Sequence, residues 1–164
     1  MAQLFERNKG VIVACDFSVL DKLEQVVEKY RTKICLIKRF DEVLSHLIYA
    51  GADFFLVPSK YEPCGLTQML AMRYGAIPIV RKTGGLADSV IDSETGFVFA
   101  EHTSEALLAK MEMAIDIFRH SGDRRDSRIK NQADSGLTEF TGMTRMEEMV
   151  NSAMQQDFSW AKSA

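Results

Sequence analysis

Short apolar runs alternate with longer segments that carry a helical stripe, and this alternation does most to limit what the chain can fold into. The runs are "GVIVAC" (residues 10–15), "KICLIK" (33–38), "FFLVP" (54–58), "IPIV" (77–80) and the shorter "GFVF" (96–99). The first reads as a strand buried on both faces, and the others as four further strands. Between the first two, Ser18 is placed to cap a helix whose Leu20, Leu23, Val26, Val27 and Tyr30 share one stripe. Asp41 is placed to cap a second helix with Val43, Leu44, Leu47 and Ile48 inward and Gly51 as its stop. A third helix is expected over about residues 65–74, with Leu66, Met69 and Leu70 on one side. Strands that alternate with helices at this spacing build βαβ units. The expected class is therefore α/β, a three-layer fold whose four longer strands are all parallel, with right-handed crossovers placing helices on both faces.

Beyond residue 100 the pattern is helical. Leu107, Leu108, Met111, Ala114, Ile115 and Phe118 make one stripe, and Met143, Met146, Met149, Val150, Ala153 and Met154 make another. A methionine stripe at helical spacing is more often core than a binding groove. Between them "RHSGDRRDSRIKNQADSG" has Ile129 as its one large apolar residue, and reads as a mobile loop or a frayed helix. The expected division is a sheet-forming part over 1–118, a polar segment over 119–142, and a C-terminal helix and tail over 143–164. There is no internal repeat.

Composition excludes several function classes. A net charge of −3 argues against nucleic acid as the main partner, since phosphate-backbone binding needs a basic face. No apolar run approaches the roughly 20 residues of a membrane span, and the N-terminus lacks a signal-peptide core. The three cysteines, Cys15, Cys35 and Cys64, are odd in number, and Cys15 and Cys35 lie inside apolar runs as expected buried thiols. Free thiols point to a reducing compartment, hence the cytoplasm. His46, His102 and His120 have no metal-ligand spacing, and no Asp-x-Asp pair occurs, so neither a metal nor a cofactor is expected. His46 falls on the polar face of its helix and reads as a surface residue.

The loop after the third run carries the chemistry. "SKYEPCGLT" places Glu62, Cys64 and Gly65 just before a helix. A helix N-terminus exposes unpaired amides and the positive end of the helix dipole, a natural seat for phosphate. Gly65 removes a side chain where a ligand would approach, so the amides of Gly65, Leu66 and Thr67 are candidates to face a diphosphate. Glu62 beside them can accept hydrogen bonds from hydroxyl groups. A ligand anionic at one end and hydroxyl-rich at the other fits, and a nucleotide sugar is such a ligand. The same residues admit a plain structural reading. Ser59 and Glu62 have capping-box spacing, and Gly65 can be a simple turn. Gly84-Gly85 in "RKTGGLAD" can likewise bring amides to a ligand or merely turn the chain. In open parallel sheets ligands bind outside the carboxyl ends of the strands, and both loops are expected on that edge.

The run "FDEVLSHLIYAGADFFLVPSKYEPCGLTQMLAMRYGAIPIVRKTGGLADSV", with "DFSWAKSA" near the end, resembles the C-terminal domain of bacterial glycogen synthases and plant starch synthases. The resemblance is dense over about fifty residues, and "YEPCGLTQ" with "RKTGGLAD" is specific to that family among retaining glycosyltransferases. It implies one Rossmann-like half of a GT-B enzyme that extends α-1,4-glucan from a nucleotide sugar, usually ADP-glucose, with retention and without a metal. By position, Glu62 would stand at the catalytic centre and hold the donor glucose hydroxyls. Cys64 and Gly65 would line the sugar pocket. Leu66 and Thr67 would give backbone amides to the distal phosphate, and Phe40 would lie against the adenine ring. Lys82, Thr83 and Gly84 would border the cleft.

The resemblance also has departures. The family carries an N-terminal domain that binds the acceptor glucan, and a first strand–helix unit with a basic pair on the diphosphate. Neither is expected here. "RNKG" (residues 7–10) mimics part of that basic loop but stands one βα unit away, and reads as a turn. The wider family's second glutamate, eight residues after Glu62, is Leu70. The expectation is a donor-binding part that binds ADP or ADP-glucose and is inactive alone, with a free sheet edge available for a homodimer. The competing reading is a stand-alone, non-catalytic binding or interaction module with the same fold.

Overall fold

Apolar runs become strands where their neighbours complete the hydrogen-bond ladder, and all five runs do so. The computed structural model describes residues 11–14, 20–39, 41–132 and 144–159. The strands are β1 (Val11–Ala14), β2 (Ile34–Ile37), β3 (Phe54–Val57), β4 (Ile77–Arg81) and β5 (Phe97–Phe99). The helices are α1 (Leu20–Lys29), α2 (Glu42–Gly51), α3 (Thr67–Arg73), α4 (Gly84–Ser89), α5 (Ser104–Gln132) and α6 (Arg145–Met154). Every ladder among the described strands is parallel: β1 with β2, and β3, β4 and β5 in that order with β4 at the centre. This is the expected α/β class. The chain divides into two units, Met1–Ile48 and Tyr49–Ala164, each holding one of these ladders.

In the first unit α1 packs on β2, with Leu23, Val26, Val27 and Tyr30 half-buried along one side as the stripe predicts. The Tyr30 carbonyl accepts from Lys33 N–H at 2.8 Å and Ile34 N–H at 3.0 Å, which turns the chain from helix to strand. Ile34 is buried, whereas Cys35 is exposed. The expected burial of Cys35 is thus corrected. Successive strand residues point to opposite faces, and only the Ile34 face of β2 is closed at that point. Ser18, Cys15, Phe40 and the "RNKG" turn lie outside the described residues.

The cap of α2 is as expected, with the Asp41 carboxylate accepting from Leu44 N–H at 3.0 Å. Its inward face is not. Val43 is 74% exposed and Leu47 64%, while Tyr49 is buried. The ring of Tyr49 packs on Phe55 at 4.9 Å and on Tyr74 at 6.1 Å between centroids. An aromatic ring buries more area than the aliphatic residues of the expected stripe, and it sets which side of this end of the helix turns in.

The second unit has one main core, built from Val57, Met72, Ile77, Ile79, Val80, Leu86, Val90, Phe97, Ala114, Met146, Met149 and Ala153. Residues Ile77 through Val80 are all buried, so β4 is covered on both faces and the unit is three-layered. Pro78 fits inside this central strand. Ile77 N–H donates to Asp53 on the β3 side, so position 78 faces the β5 side, and β5 pairs only from Ile79 onward. Most of the described methionine stripe of α6 is core: Met146, Met149 and Ala153 are buried, Met154 is exposed, and Met143 lies outside the described residues. Thr144 starts that helix with a reciprocal cap, its hydroxyl accepting from Glu147 N–H at 3.3 Å and its own amide donating to the Glu147 carboxylate at 2.8 Å. On α5, Ala114 is buried and Phe118 meets Phe54 edge-on at 5.7 Å. The backbone of α5 continues as helix to Gln132, through the first part of the polar segment.

For α3 the buried face is Gln68, Ala71 and Met72, while Leu66 is 67% exposed and Leu70 38%. The expected stripe of Leu66, Met69 and Leu70 is corrected by one side of the helix. A glutamine on the inward side had hidden the true i, i+3, i+4 pattern.

Candidate functional site

The strands β3 and β4 run parallel and in register, Val57 opposite Val80, so both release their loops at the same edge of the second unit. Residues 58–66 follow β3; Lys82 and Thr83 follow β4 and lead into α4. Three sets of hydrogen bonds tie the loop after β3 and the start of α3 to the end of β4 and to α4. Arg81, at the end of β4, donates from Nε to the Ser59 carbonyl at 2.8 Å and from Nη2 to the Lys60 carbonyl. The Gly85 amide is shared between the carbonyls of Glu62 at 3.1 Å and Pro63 at 3.2 Å. Gln68 donates from Nε2 to the Gly65 carbonyl at 2.6 Å and to Ser89 Oγ at 2.9 Å, and Ser89 donates in turn to the Gly85 carbonyl at 2.6 Å.

This interlock explains the paired glycines. A Cβ at Gly85 would overlap the Cys64 carbonyl, and one at Gly84 would overlap the Glu62 carbonyl. Gly84 also holds φ at +44°, in the left-handed region. The pair therefore exists so that one loop's backbone can lie on the other's. Gly65, at φ +66°, is buried over Gln68, whose Oε1 a Cβ would meet at 2.7 Å.

The structure brings Glu62, Cys64, Gly65, Leu66 and Thr67 together with Lys82, Thr83 and Gly84. Phe40 lies outside the described residues. Glu62 is half-buried and its carboxylate accepts from Ser59 Oγ at 3.4 Å. Ser59 and Glu62 thus bond within the loop, and the capping-box reading is excluded because α3 begins at Thr67 with Leu66 at its N-cap. The first intrahelical bond runs from Leu70 N–H to the Leu66 carbonyl at 3.0 Å, so the amides of Leu66 and Thr67 come before the helical ladder. Cys64, Leu66, Thr67, Lys82 and Gly84 are exposed, and Thr83 is half-buried. The Lys82 amide is held by the Phe99 carbonyl at 2.8 Å, which anchors its backbone and leaves the ammonium outside. Chemically, the candidate residues supply a carboxylate at Glu62, an ammonium at Lys82 and glycine-rich backbone. Among the described residues no group of three or more His, Cys, Asp or Glu could hold a metal ion. Likewise, no helix among them is long and apolar enough to cross a membrane.

Sequence reasoning missed Arg81, Gln68 and Ser89, which hold the loops rather than line them. The one available signal was a glutamine at the i, i+3, i+4 positions of small and apolar Ala71 and Met72.

A parallel α/β unit with two glycine-bearing segments locked at the carboxyl ends of adjacent strands presents its candidate site at the edge where open α/β sheets bind ligands. The chain belongs to the glycosyl transferases group 1 family, whose model matches residues 4–133. Over 143 residues it is 43% identical to a glycogen synthase of Thermodesulfovibrio yellowstonii, covering 87% of this chain and 24% of that protein. It is also 36% identical to a glycogen synthase of Syntrophotalea carbinolica, covering 99% of this chain and 31% of that one. Among solved structures it is similar to the catalytic domain of starch synthase IV from Arabidopsis thaliana bound to ADP and acarbose. There the TM-score is 0.76 and the identity 30%, covering 99% of this chain and 31% of that chain. The fold is that of the C-terminal domain of a GT-B glycosyltransferase. The chain spans about a quarter to a third of the length of the curated relatives it matches.

Proposed function

We propose that this chain is the donor-binding part of a glucosyltransferase of the glycogen and starch synthase kind, and that it takes ADP-glucose. The observation that supports the reading is the interlock that holds the Glu62, Pro63 and Gly65 carbonyls at one sheet edge, with Leu66 and Thr67 next along the chain. The similar starch synthase domain, bound to ADP and acarbose, supports the choice of nucleotide.

In this reading Glu62 accepts hydrogen bonds from the glucose hydroxyls at the reaction centre. Cys64 and Gly65 line the sugar, the Leu66 and Thr67 amides meet the distal phosphate, and Lys82, Thr83 and Gly84 border the cleft. Transfer then moves the glucosyl group to an α-1,4-glucan with retention, the glucan being held by a domain like that of the longer relatives. Donor and acceptor must be held in contact with charge on the departing phosphate stabilised. The 164-residue chain alone is therefore expected to bind donor without extending glucan. A reducing cytoplasm suits the free, exposed Cys35 and Cys64. A second copy would add at the outer edge of β1, which pairs with β2 alone among the described strands. Light scattering that finds only monomer at high concentration removes that dimer.

The test is titration of the chain with ADP-glucose and with ADP, by calorimetry and amide chemical shifts. Both ligands are expected to shift Gly65, Leu66 and Thr67. Glu62→Ala is expected to weaken ADP-glucose by about 1.5–3 kcal/mol, the worth of hydrogen bonds to a charged group, and to leave ADP unchanged. No heat and no shift at millimolar ligand overturns the reading.

A further inference from the structure

We infer that Gln68 is a positioning residue that aims the Leu66 amide at the anionic end of the donor, an inference that rests on the donor-site reading above. Gln68 is fully buried, on the same face of α3 as Ala71 and Met72. Its Oε1 is buried and makes no hydrogen bond in the structure. A residue selected only to fill this core would be leucine or methionine, which form helix as well and bury no orphan acceptor. What the amide supplies is geometry. Its Nε2 holds the Gly65 carbonyl at 2.6 Å, pointing that oxygen into the unit.

The peptide bond is planar and trans, so the N–H of Leu66 points opposite to the C=O of Gly65. Holding the carbonyl inward turns the Leu66 amide outward. Beside that peptide the Leu66 side chain is exposed and Gly65 holds a left-handed φ of +66°. The second bond from Nε2, to Ser89 Oγ at 2.9 Å, fixes Gln68 against α4. Ser89 Oγ also holds the Gly85 carbonyl at 2.6 Å. One buried amide group thus sets the plane of the Gly65–Leu66 peptide and ties it to α4.

The test compares ADP with AMP, which lacks the distal phosphate, on the wild type, Gln68→Met, Ser89→Ala and Ser89→Thr. Methionine keeps volume and helix propensity while removing the donor. Gln68→Met is expected to lower the ratio of ADP to AMP affinity about tenfold, the worth of one hydrogen bond to a charged group. The Leu66 amide resonance moves, while the methyl resonances of Met146 and Met149 stay in place. Ser89→Ala is expected to act in the same direction, and Ser89→Thr, which keeps the hydroxyl, to restore the ratio. Should Gln68→Met fail to fold, the two Ser89 variants carry the comparison. A wild type that binds neither ligand overturns the donor-site reading and this inference with it. Wild-type ADP binding with an unchanged ratio in Gln68→Met, or in Ser89→Ala where the first does not fold, overturns the inference alone. An equal loss of ADP and AMP also overturns it, because that is the mark of a general packing role.

Discussion

The strands β2 and β4 are both apolar and both paired in parallel, yet they differ in what surrounds them. β4 pairs on two sides and is buried through Ile77, Pro78, Ile79 and Val80. β2 pairs with β1 alone among the described strands, and next to buried Ile34 it exposes Cys35. Hydrogen-bond pairing makes a strand, but only packing on both faces makes a core. The glycine-rich loops of the candidate site leave from β3 and β4, the region whose packing is closed. A site held by backbone contacts needs strand ends that do not move.

The largest expected effect tests that dependence directly. Gly85→Ala sets a methyl group into the Cys64 carbonyl, and is expected to cost more than about 4 kcal/mol or to prevent folding of the second unit, read by urea unfolding. A wild-type midpoint would break the comparison. Gly51→Ala, with nothing near its would-be Cβ, is the control and is expected to cost nothing.

Next in size, Ile79→Ala in β4 is expected to cost about 2–5 kcal/mol, against less than about 0.5 kcal/mol for Cys35→Ser in β2. Equal losses would show that β2 is packed as tightly as β4. Thr144→Ala removes the reciprocal cap of α6 and is expected to lower stability by about 1 kcal/mol, seen as a lower thermal midpoint.

The smallest effect is a pH dependence. Burial raises the Tyr49 phenol above its ordinary value of 10.0, because the charged form is disfavoured there. The folded state then keeps its proton to higher pH than the unfolded chain does. This contribution to stability is whole below about pH 10 and is lost as pH rises through the folded-state value. Thermal midpoints measured from pH 8 to 11 should fall at the alkaline end, and Tyr49→Phe should reduce that fall. An unchanged slope would place the phenol in water.

Strand positions and their parallel sense were legible because apolar runs at βα spacing admit few other folds. The methionine stripe of α6 was legible for the same reason. Helix faces were harder. On α2 the buried Tyr49 outweighed Val43 and Leu47, and on α3 a glutamine occupied the inward stripe. The short helix α4 begins with Gly84-Gly85, which by propensity reads as a turn. Of the candidate site residues named from the sequence, Phe40 lies outside the described residues and the others fall on the two neighbouring segments after β3 and β4. The site's supports were not named. Arg81 reaches the distant Ser59 and Lys60 carbonyls, Gln68 and Ser89 hold the nearby Gly65 and Gly85 carbonyls while bonding to each other, and a carbonyl leaves no mark in a sequence.

The overlap that forbids side chains at Gly84 and Gly85 also works as a proofreading step during folding. The side chains of a strand alternate faces, and a slip of one residue between β3 and β4 displaces one loop by about 3.3 Å along the other. Thr83 or Leu86, each with a Cβ, would then come against the carbonyls of Glu62 and Cys64. The slipped sheet cannot close its loops, whereas the pairing of Phe54 with Ile77 can. Any molecule in which these two segments interlock has therefore already paired the strands in register.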